Sequence, residues 1–486
     1  MGQLRGGDPG AMESLATKAN HTSTTIGAIR AVLDRVRNDA PVFGDLAEKM
    51  AAEFEAQLLP RLRQAEGALG NVGEVLTWNA QEQRHASDSS APSPSGAKPE
   101  YRTPSPESAH FQLAKFARPQ VPVNVPAPAG GPTFTGGVPF AERIAETRKK
   151  IEDLLAAERK RLPELQRLDG KAQATGDALA GYGDRKAFSE SKALVQHYES
   201  LLRPDRQLLY YDHKGDGALV ELHGKIDAGT KNVAVLVPGM GTDQYSVDST
   251  NQSAKDFVAA ADGKLAVVVA LLGDHPDDLA AVSPAHAVAL GRPLAELSHA
   301  VAAEAGQQGA DGAKLTVVGH SYGASIVGEG EKNGLRADRI LDWAGAGVGH
   351  DVETPADLPN SSPGVQRYSM TAPGDPIQRT QGLQVGGWGH GLTDPDKFGG
   401  TVELCTGAYP NDPALGSKAG QPISGLSGHS DIWTKGSDSW QNAFGVMTGG
   451  EVKPAVYPPA VFIPRPEGGA YPYQPPPVCG PTIDIE

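Results

Sequence analysis

Cysteine is nearly absent: Cys405 and Cys479 are the only two in 486 residues. Two thiols cannot build a zinc-ribbon site or a disulfide scaffold, although they can form a single bridge. Positive charge is also short, with 44 Lys and Arg against 58 Asp and Glu and a formal net charge of −14. A nucleic-acid binder needs cationic surface to displace counterions from phosphate, so that class of function is excluded. Nowhere do about 18 apolar residues run together, and no transmembrane helix is expected. The opening MGQLRGGDPGAMES has no apolar h-region, so a secretory signal peptide is not expected there. Hydrophobic residues make up only 39% and mean hydropathy is −0.35, low for a compact enzyme throughout. The 59 Gly and 39 Pro place the shortfall in extended stretches that dilute an ordinary globular part.

The chain reads as five segments. In residues 1–82, Ile26, Ile29, Leu33 and Val36 recur at helical spacing, as do Leu46, Met50, Phe54, Leu58 and Leu62. The turn-rich Asn38-Asp39-Ala40-Pro41 and then Gly44 separate the two runs, which predicts an antiparallel helical hairpin. Its apolar stripe needs a cover, so residues 11–70 are the place for a helical partner; a plain helical extension is the alternative. Residues 83–137, with SSAPSPSGAKP and VPVNVPAPAGGPTFTGG, bury too little apolar area to offset ordering entropy and read as a disordered linker. Helical period returns over 138–203 at Ile144, Ile151, Leu154, Leu162, Leu165 and Leu168, then Phe188, Leu194, Val195, Tyr198, Leu201 and Leu202. The interleaved Arg, Lys and Glu are a solvated helix face. Residues 453–486 form a Pro-rich tail that is expected to lie extended.

Between them, over 204–452, the period changes to that of strands. Gln207–Tyr211 and Ala218–His223 flank Gly215-Asp216-Gly217 and read as a β-hairpin. Apolar runs at Val233–Val237, Leu265–Leu271, Leu315–Val318, Ile340–Trp343 and Val365–Met370 alternate with helical stretches near Ala254–Ala261, Ala287–Ala305 and Ala324–Asn333. Short buried strands separated by helices indicate a mostly parallel sheet covered on both faces.

The strongest motif is Gly319-His320-Ser321-Tyr322-Gly323, directly after the run Lys314–Val318. Between a strand and a helix this G-x-S-x-G pattern becomes a nucleophile elbow, with glycines where flanking side chains would clash and Ser321 raised above the sheet edge. The plainer alternative is an ordinary turn with an incidental serine. A hydroxyl needs a base within hydrogen-bond reach, and in this arrangement the partners follow in the order acid, then His. Asp375, in the loop Thr371–Pro376 after a strand, is the first choice for the acid; an Asx-type turn would also favour it there. Asp342 is the runner-up, placed inside a strand rather than in a loop. His429, in Gly425–Asp431, is the first choice for the base, and His390, in Gly386–Gly391, competes with it. His320 lies in the elbow and is expected to pack beneath it. For the oxyanion, backbone N–H groups of Met240, in Pro238-Gly239-Met240-Gly241-Thr242, and of Tyr322 are the candidates. Gly273–Pro293 is read as part of a pocket rim. No H-E-x-x-H pair, EF-hand loop or dinucleotide fingerprint occurs, so no metal or organic cofactor is expected.

The runs LLRPDRQLLYYD at 201–212, VAVLVPGMGTD at 233–243, VVGHSYGA at 317–324 and GHS at 428–430 resemble an actinobacterial family of α/β-hydrolases, over Phe188 to about Gly450. The resemblance implies an α/β-hydrolase fold preceded by helical segments, and serine-hydrolase activity on a substrate it leaves open. The N-terminal hairpin resembles the small proteins exported by type VII secretion systems, with Val42-Phe43-Gly44 at the position of their Trp-x-Gly motif. Neither its tryptophan nor the Tyr-and-acid signal after the second helix is present. That resemblance implies export without a conventional signal peptide and contact with secretion machinery; a cytoplasmic enzyme is the other expectation. Taken together, the residues point to a carboxylesterase-like serine hydrolase acting on a small-molecule or lipid-like ester. The competing class is a secreted or envelope-associated adaptor that uses the same fold as a scaffold. In an exported protein Cys405 and Cys479 would be bridged, and in a cytosolic one free.

The linker reading has a direct test. Limited proteolysis should cut first between Gln83 and Gly137, releasing a fragment from about Phe140 that keeps esterase activity. Resistance of that stretch would mean that it is packed against a domain.

Overall fold

Strand runs that are apolar on both faces build the centre of this chain. The computed structural model describes residues 132–485 except 176–177, 216, 277–280, 282, 360–363, 383, 385–388 and 465–469, together with Thr77. The hairpin read over 1–82 and most of the linker therefore lie outside the described residues. The chain divides into two units, Met1–Gln120 with Ile463–Tyr471 and Val121–Phe462 with Pro472–Glu486. The second unit carries the central sheet and every chemistry-bearing motif.

The strands are β1 (Leu208–Asp212), β2 (Ala218–His223), β3 (Asn232–Val237), β4 (Leu265–Leu271), β5 (Lys314–His320), β6 (Arg339–Trp343), β7 (Gln366–Met370) and β8 (Thr401–Glu403). They form one sheet in the order β1-β2-β4-β3-β5-β6-β7-β8. β2 runs antiparallel to both its neighbours, and β3 through β8 are mutually parallel. This is the α/β-hydrolase fold. Alternation along each strand feeds two cores. Ala234, Leu236, Val267, Val269 and Leu271 face one, whereas Val233, Val235, Val237, Val268 and Ala270 face the other.

Helices α1 (Phe140–Thr175), α2 (Ala178–Leu201), α3 (Asp248–Ala260) and α7 (Asp438–Thr448) contribute to the first core. Helices α4 (Ala285–Gln307) and α5 (Tyr322–Lys332) belong to the second. A one-turn helix, α6 (Gly428–Asp431), carries His429. α1 passes over the sheet edge from one face to the other, with Phe140 in the second core and Ile151 and Leu155 in the first. As it crosses, Thr147 donates to the Leu209 carbonyl at 3.2 Å and Lys150 to that of Tyr211 at 2.8 Å. The outer edge of β1 is thereby closed to further strand pairing. Phe134, which composition assigns to the linker, is 3% exposed and packs edge-on against Tyr210. Arg143 also holds the stretch before α1, donating to the Thr133 and Thr135 carbonyls at 3.1 and 3.3 Å.

At the far edge the Pro-rich tail pairs in short ribbons instead of lying single. Strand β9 (Glu451–Val452) pairs with β12 (Ile483–Asp484), and β10 (Ala455–Val456) with β11 (Val478–Cys479). Cys405, just past β8, is bridged to Cys479 with Cα atoms 5.1 Å apart. Among the described residues no helix is long and apolar enough to cross a membrane.

The bridge closes a loop over a sequence separation of 74, for which chain entropy gives about 4 kcal/mol, less any strain. Protein isolated under thiol-blocking conditions should show no free thiol by non-reducing mass spectrometry. Cys479→Ala should lower stability and let protease remove the tail. An unchanged melting temperature and an uncut tail would show that the tail docks without it.

Candidate active site

The junction of β5 and α5 is unusually crowded, and the crowding explains its glycines. A Cβ on Gly319 would lie 2.4 Å from the Ala324 Cα, and one on Gly323 would lie 2.3 Å from the Val237 carbonyl oxygen. No side chain fits in either place. Between them Ser321 takes φ 55° and ψ −122°, a left-handed conformation costing about 1–3 kcal/mol for a residue with a Cβ. Backbone hydrogen bonds hold it there: Ser321 N–H donates to the Trp343 carbonyl at 3.0 Å, and Ala346 N–H to the Ser321 carbonyl at 2.9 Å. β6 thus braces the elbow from the side.

Two later loops converge on the hydroxyl. His429 Nε2 lies 2.9 Å from Ser321 Oγ, and His429 Nδ1 lies 2.9 Å from Asp375 Oδ2. A carboxylate only accepts, so Nδ1 carries the ring proton and Nε2 is left as an acceptor for the serine O–H. Asp375 is fixed by its own turn, because its Oδ1 accepts from Ile377 N–H at 2.9 Å as the cap of a short 3₁₀ turn. The turn that competed with a catalytic reading is therefore what aims the carboxylate. Its side chain is fully buried, whereas that of His429 is 27% exposed. The two loops are joined by Gly425 N–H donating to the Pro373 carbonyl at 2.8 Å. At the end of α6, Asp431 accepts from Lys418 at 2.9 Å and is hydrogen-bonded to the Tyr409 hydroxyl.

The sequence-derived alternatives fall elsewhere. Asp342 sits on β6, where burial and then the Glu331 carboxylate push its pKa up to about 8 despite the opposing Arg367. It is held neutral at pH 7 and has no hydrogen bond to His429, so it cannot steady an imidazolium. His390 is buried, with Nε2 donating to the Ala281 carbonyl and its ring edge-on to Tyr322 at 5.2 Å. His320 packs at the elbow beside His429. Its Nε2–H donates to the His429 carbonyl at 3.2 Å, and its ring meets those of His429 at 5.1 Å and Trp433 at 5.2 Å. Burial, reinforced by the neighbouring His429, lowers its pKa to about 4, so it stays a neutral donor to the His429 carbonyl.

The oxyanion candidates occupy the loop after β3 and the first turn of α5. Tyr322 is the first residue of α5, where an N–H has no intrahelical acceptor. Gly239 packs against the elbow, since a Cβ there would lie 3.0 Å from the Ser321 Cβ. The Met240 side chain is exposed. His275, read from sequence as part of a pocket rim, is instead buried at 1% exposure beneath this loop. Among the described residues no group of three or more His, Cys, Asp or Glu is placed to hold a metal ion.

Residues 212–385 match a protein-family model described as alpha/beta hydrolase. No curated protein matches the chain. Among solved structures, esterase LipW from Mycobacterium marinum is similar at 13% identity and TM-score 0.30, covering 56% of this chain and 88% of its own. A dienelactone hydrolase-like promiscuous phosphotriesterase, P91, from metagenomic libraries is similar at 18% identity and TM-score 0.28, covering 49% and 95%. XC6422 from Xanthomonas campestris, described as an α/β serine hydrolase without a lid, is similar at 15% identity and TM-score 0.24, covering 36% and 74%.

The neutral state of Asp342 makes stability depend on pH. Its carboxyl stays protonated in the fold up to about 8 but titrates near 3.8 when unfolded. Folding therefore takes up a proton across that interval, and this group's contribution falls as pH rises. Asparagine has no proton to take up. The melting temperature of Asp342→Asn, measured relative to the parent protein by calorimetry, should climb from pH 4 toward pH 8. A constant difference would show that Asp342 is charged in the fold.

Proposed function

We propose that the chain is a serine hydrolase that cleaves a carboxylic ester through an acyl-enzyme. One observation carries this reading: the unbroken line from Asp375 through His429 to Ser321, with 2.9 Å at each step, ends on a serine held in a strained elbow. Such strain is sustained only where the surrounding structure over-determines it, and it clusters at working sites. Ser321 Oγ attacks the ester carbonyl carbon while His429 Nε2 takes the hydroxyl proton. The resulting imidazolium is steadied by Asp375, and the negative charge on the former carbonyl oxygen by the N–H groups of Met240 and Tyr322. As the tetrahedral intermediate collapses, the C–O bond to the leaving group breaks and His429 returns the proton to the departing alcohol. Water then repeats the sequence on the acyl-serine, releasing the acid and restoring Ser321. An oxygen ester suits this machinery, because an alkoxide leaves more readily than an amide nitrogen. The substrate class is a small-molecule or lipid-like ester.

A fluorophosphonate probe should label the protein at Ser321, and Ser321→Ala should abolish labelling and ester hydrolysis while keeping the melting temperature. His429→Ala should lose on the order of 10⁴-fold in kcat, and Asp375→Asn somewhat less. A dead His390→Ala beside a His429→Ala with normal turnover would overturn the base assignment. Failure of the probe to react at all would favour the scaffold reading.

A further inference from the structure

We infer that His275 is a positioning residue for the oxyanion-binding loop, its imidazole holding the Gly239–Met240 peptide so that the Met240 N–H faces the reacting carbonyl. The inference rests on the serine-hydrolase reading above and deepens it. His275 lies in the connection after β4, and its Nδ1 is 3.1 Å from the Gly239 carbonyl oxygen. A carbonyl only accepts, so Nδ1 carries the ring proton. Burial draws the ring's pKa down to about 4, which keeps it neutral through the ordinary working range.

The effect on the site follows from the geometry of one peptide unit. The Gly239 C=O and the Met240 N–H belong to the same planar group, and the described chain has no cis peptide. In a trans unit the two bonds point in opposite directions. Fixing the oxygen on His275 therefore fixes the direction of the hydrogen on the opposite side. Gly239 in turn abuts the Ser321 Cβ, so the peptide is held between the imidazole and the nucleophile. His275 grips the loop a second time through its backbone, because its carbonyl accepts from Gly241 N–H at 3.0 Å. Its ring also meets that of Tyr322, the other oxyanion candidate, edge-on at 6.1 Å. The remaining nitrogen, Nε2, has no hydrogen-bond partner among the described residues. An unpaired buried nitrogen destabilises a fold. An apolar ring would avoid that cost, so the feature that sets histidine apart here is the Nδ1–H bond to Gly239.

The backbone grip survives substitution and the side-chain grip does not, which isolates the effect. His275→Leu removes the donor. His275→Asn restores an N–H close to the Nδ1 position, and His275→Gln places its amide close to Nε2 instead. With p-nitrophenyl butyrate as the ester, His275→Leu should lose about 10–100-fold in kcat with KM little changed, somewhat less than deleting an oxyanion donor outright. His275→Asn should recover at least a tenfold share of that loss and keep the shape of the parent pH profile, and His275→Gln should not recover. The rate of fluorophosphonate labelling should follow the same order, because the phosphonyl oxygen occupies the same position. If His275→Leu fails to fold, the Asn and Gln pair decides. Equal activity in those two variants, a loss seen in KM alone, or a pH profile that changes shape in His275→Asn would each overturn the positioning role. A parent protein unreactive toward the phosphonate would instead overturn the hydrolase reading beneath it.

Discussion

Ser321 holds a left-handed backbone conformation that side-chain-bearing residues rarely adopt, and the rest of the fold is arranged so that it has no alternative. The elbow sits at the end of β5, one of the central strands, with β3 on one side and β6 on the other. Val237, at the end of β3, presses its carbonyl so close to Gly323 that α5 can start in only one place. Trp343 and Ala346, from β6 and the turn after it, hydrogen-bond the serine backbone on both sides. The strain is thus supported by packing that is buried regardless, and the hydroxyl emerges at a point fixed by the sheet.

The groups around that hydroxyl sort by charge according to depth and partners. Asp375 is as deeply buried as Asp342, yet it has two donors, Ile377 N–H and His429 Nδ1–H, one for each oxygen. Two well-placed donors compensate a carboxylate for lost water. Asp342 faces Glu331 and Asp396 instead, with only Arg367 to oppose them, and Arg367 is already engaged in a buried pair with Glu331. The two buried acids therefore differ in their donors and in their neighbours. The histidines follow the same logic in reverse. His275, buried, and His320, half-buried, each face a carbonyl oxygen, which asks each for one N–H and no positive charge. His429 differs from both in facing a carboxylate, Asp375, and in being partly exposed.

Much of this was legible in the sequence because it is carried by local signals. The strand runs at Val233–Val237 and Leu265–Leu271 stood out since both faces of those strands are buried, so no polar residue interrupts them. The elbow was visible in five residues, and Asp375 and His429 followed from their order along the chain. Helix α3 was harder. It begins at Asp248, six residues before its apolar period, because one of its core-facing positions is Asn251, satisfied by His223 at 2.9 Å. The Pro-rich tail gave no sign of its ribbons, whose pairing depends on β9 and the Cys405 anchor more than on its own composition. The sequence places His275 on a pocket rim for a related reason. A polar run such as Gly273-Asp274-His275-Pro276 looks like surface, and only the tertiary fold reveals that one member turns inward to a carbonyl on a neighbouring loop.

The two flanks of the sheet bear on the site although neither touches it. A site assembled from loops after β3, β4, β5 and β7 and the segment beyond β8 is only as well placed as the strands that carry those loops. Open edges would leave β1 and β8 free to slip or to pair with other chains. α1 closes the first edge by crossing it, with Thr147 and Lys150 taking carbonyls of β1 that no strand pairs. At the second edge the chain doubles back, with Cys405 N–H donating to the Lys453 carbonyl at 3.1 Å and Asn442 donating to the Cys405 carbonyl at 2.8 Å. Asn442 lies on α7, which also packs under β3, β5 and β6 through Val446 and its neighbours. A displacement at the β8 edge would therefore pass through α7 to the strands that hold the elbow. In this fold the helix before the sheet and the tail behind it are part of what keeps Asp375, His429 and Ser321 within hydrogen-bond reach.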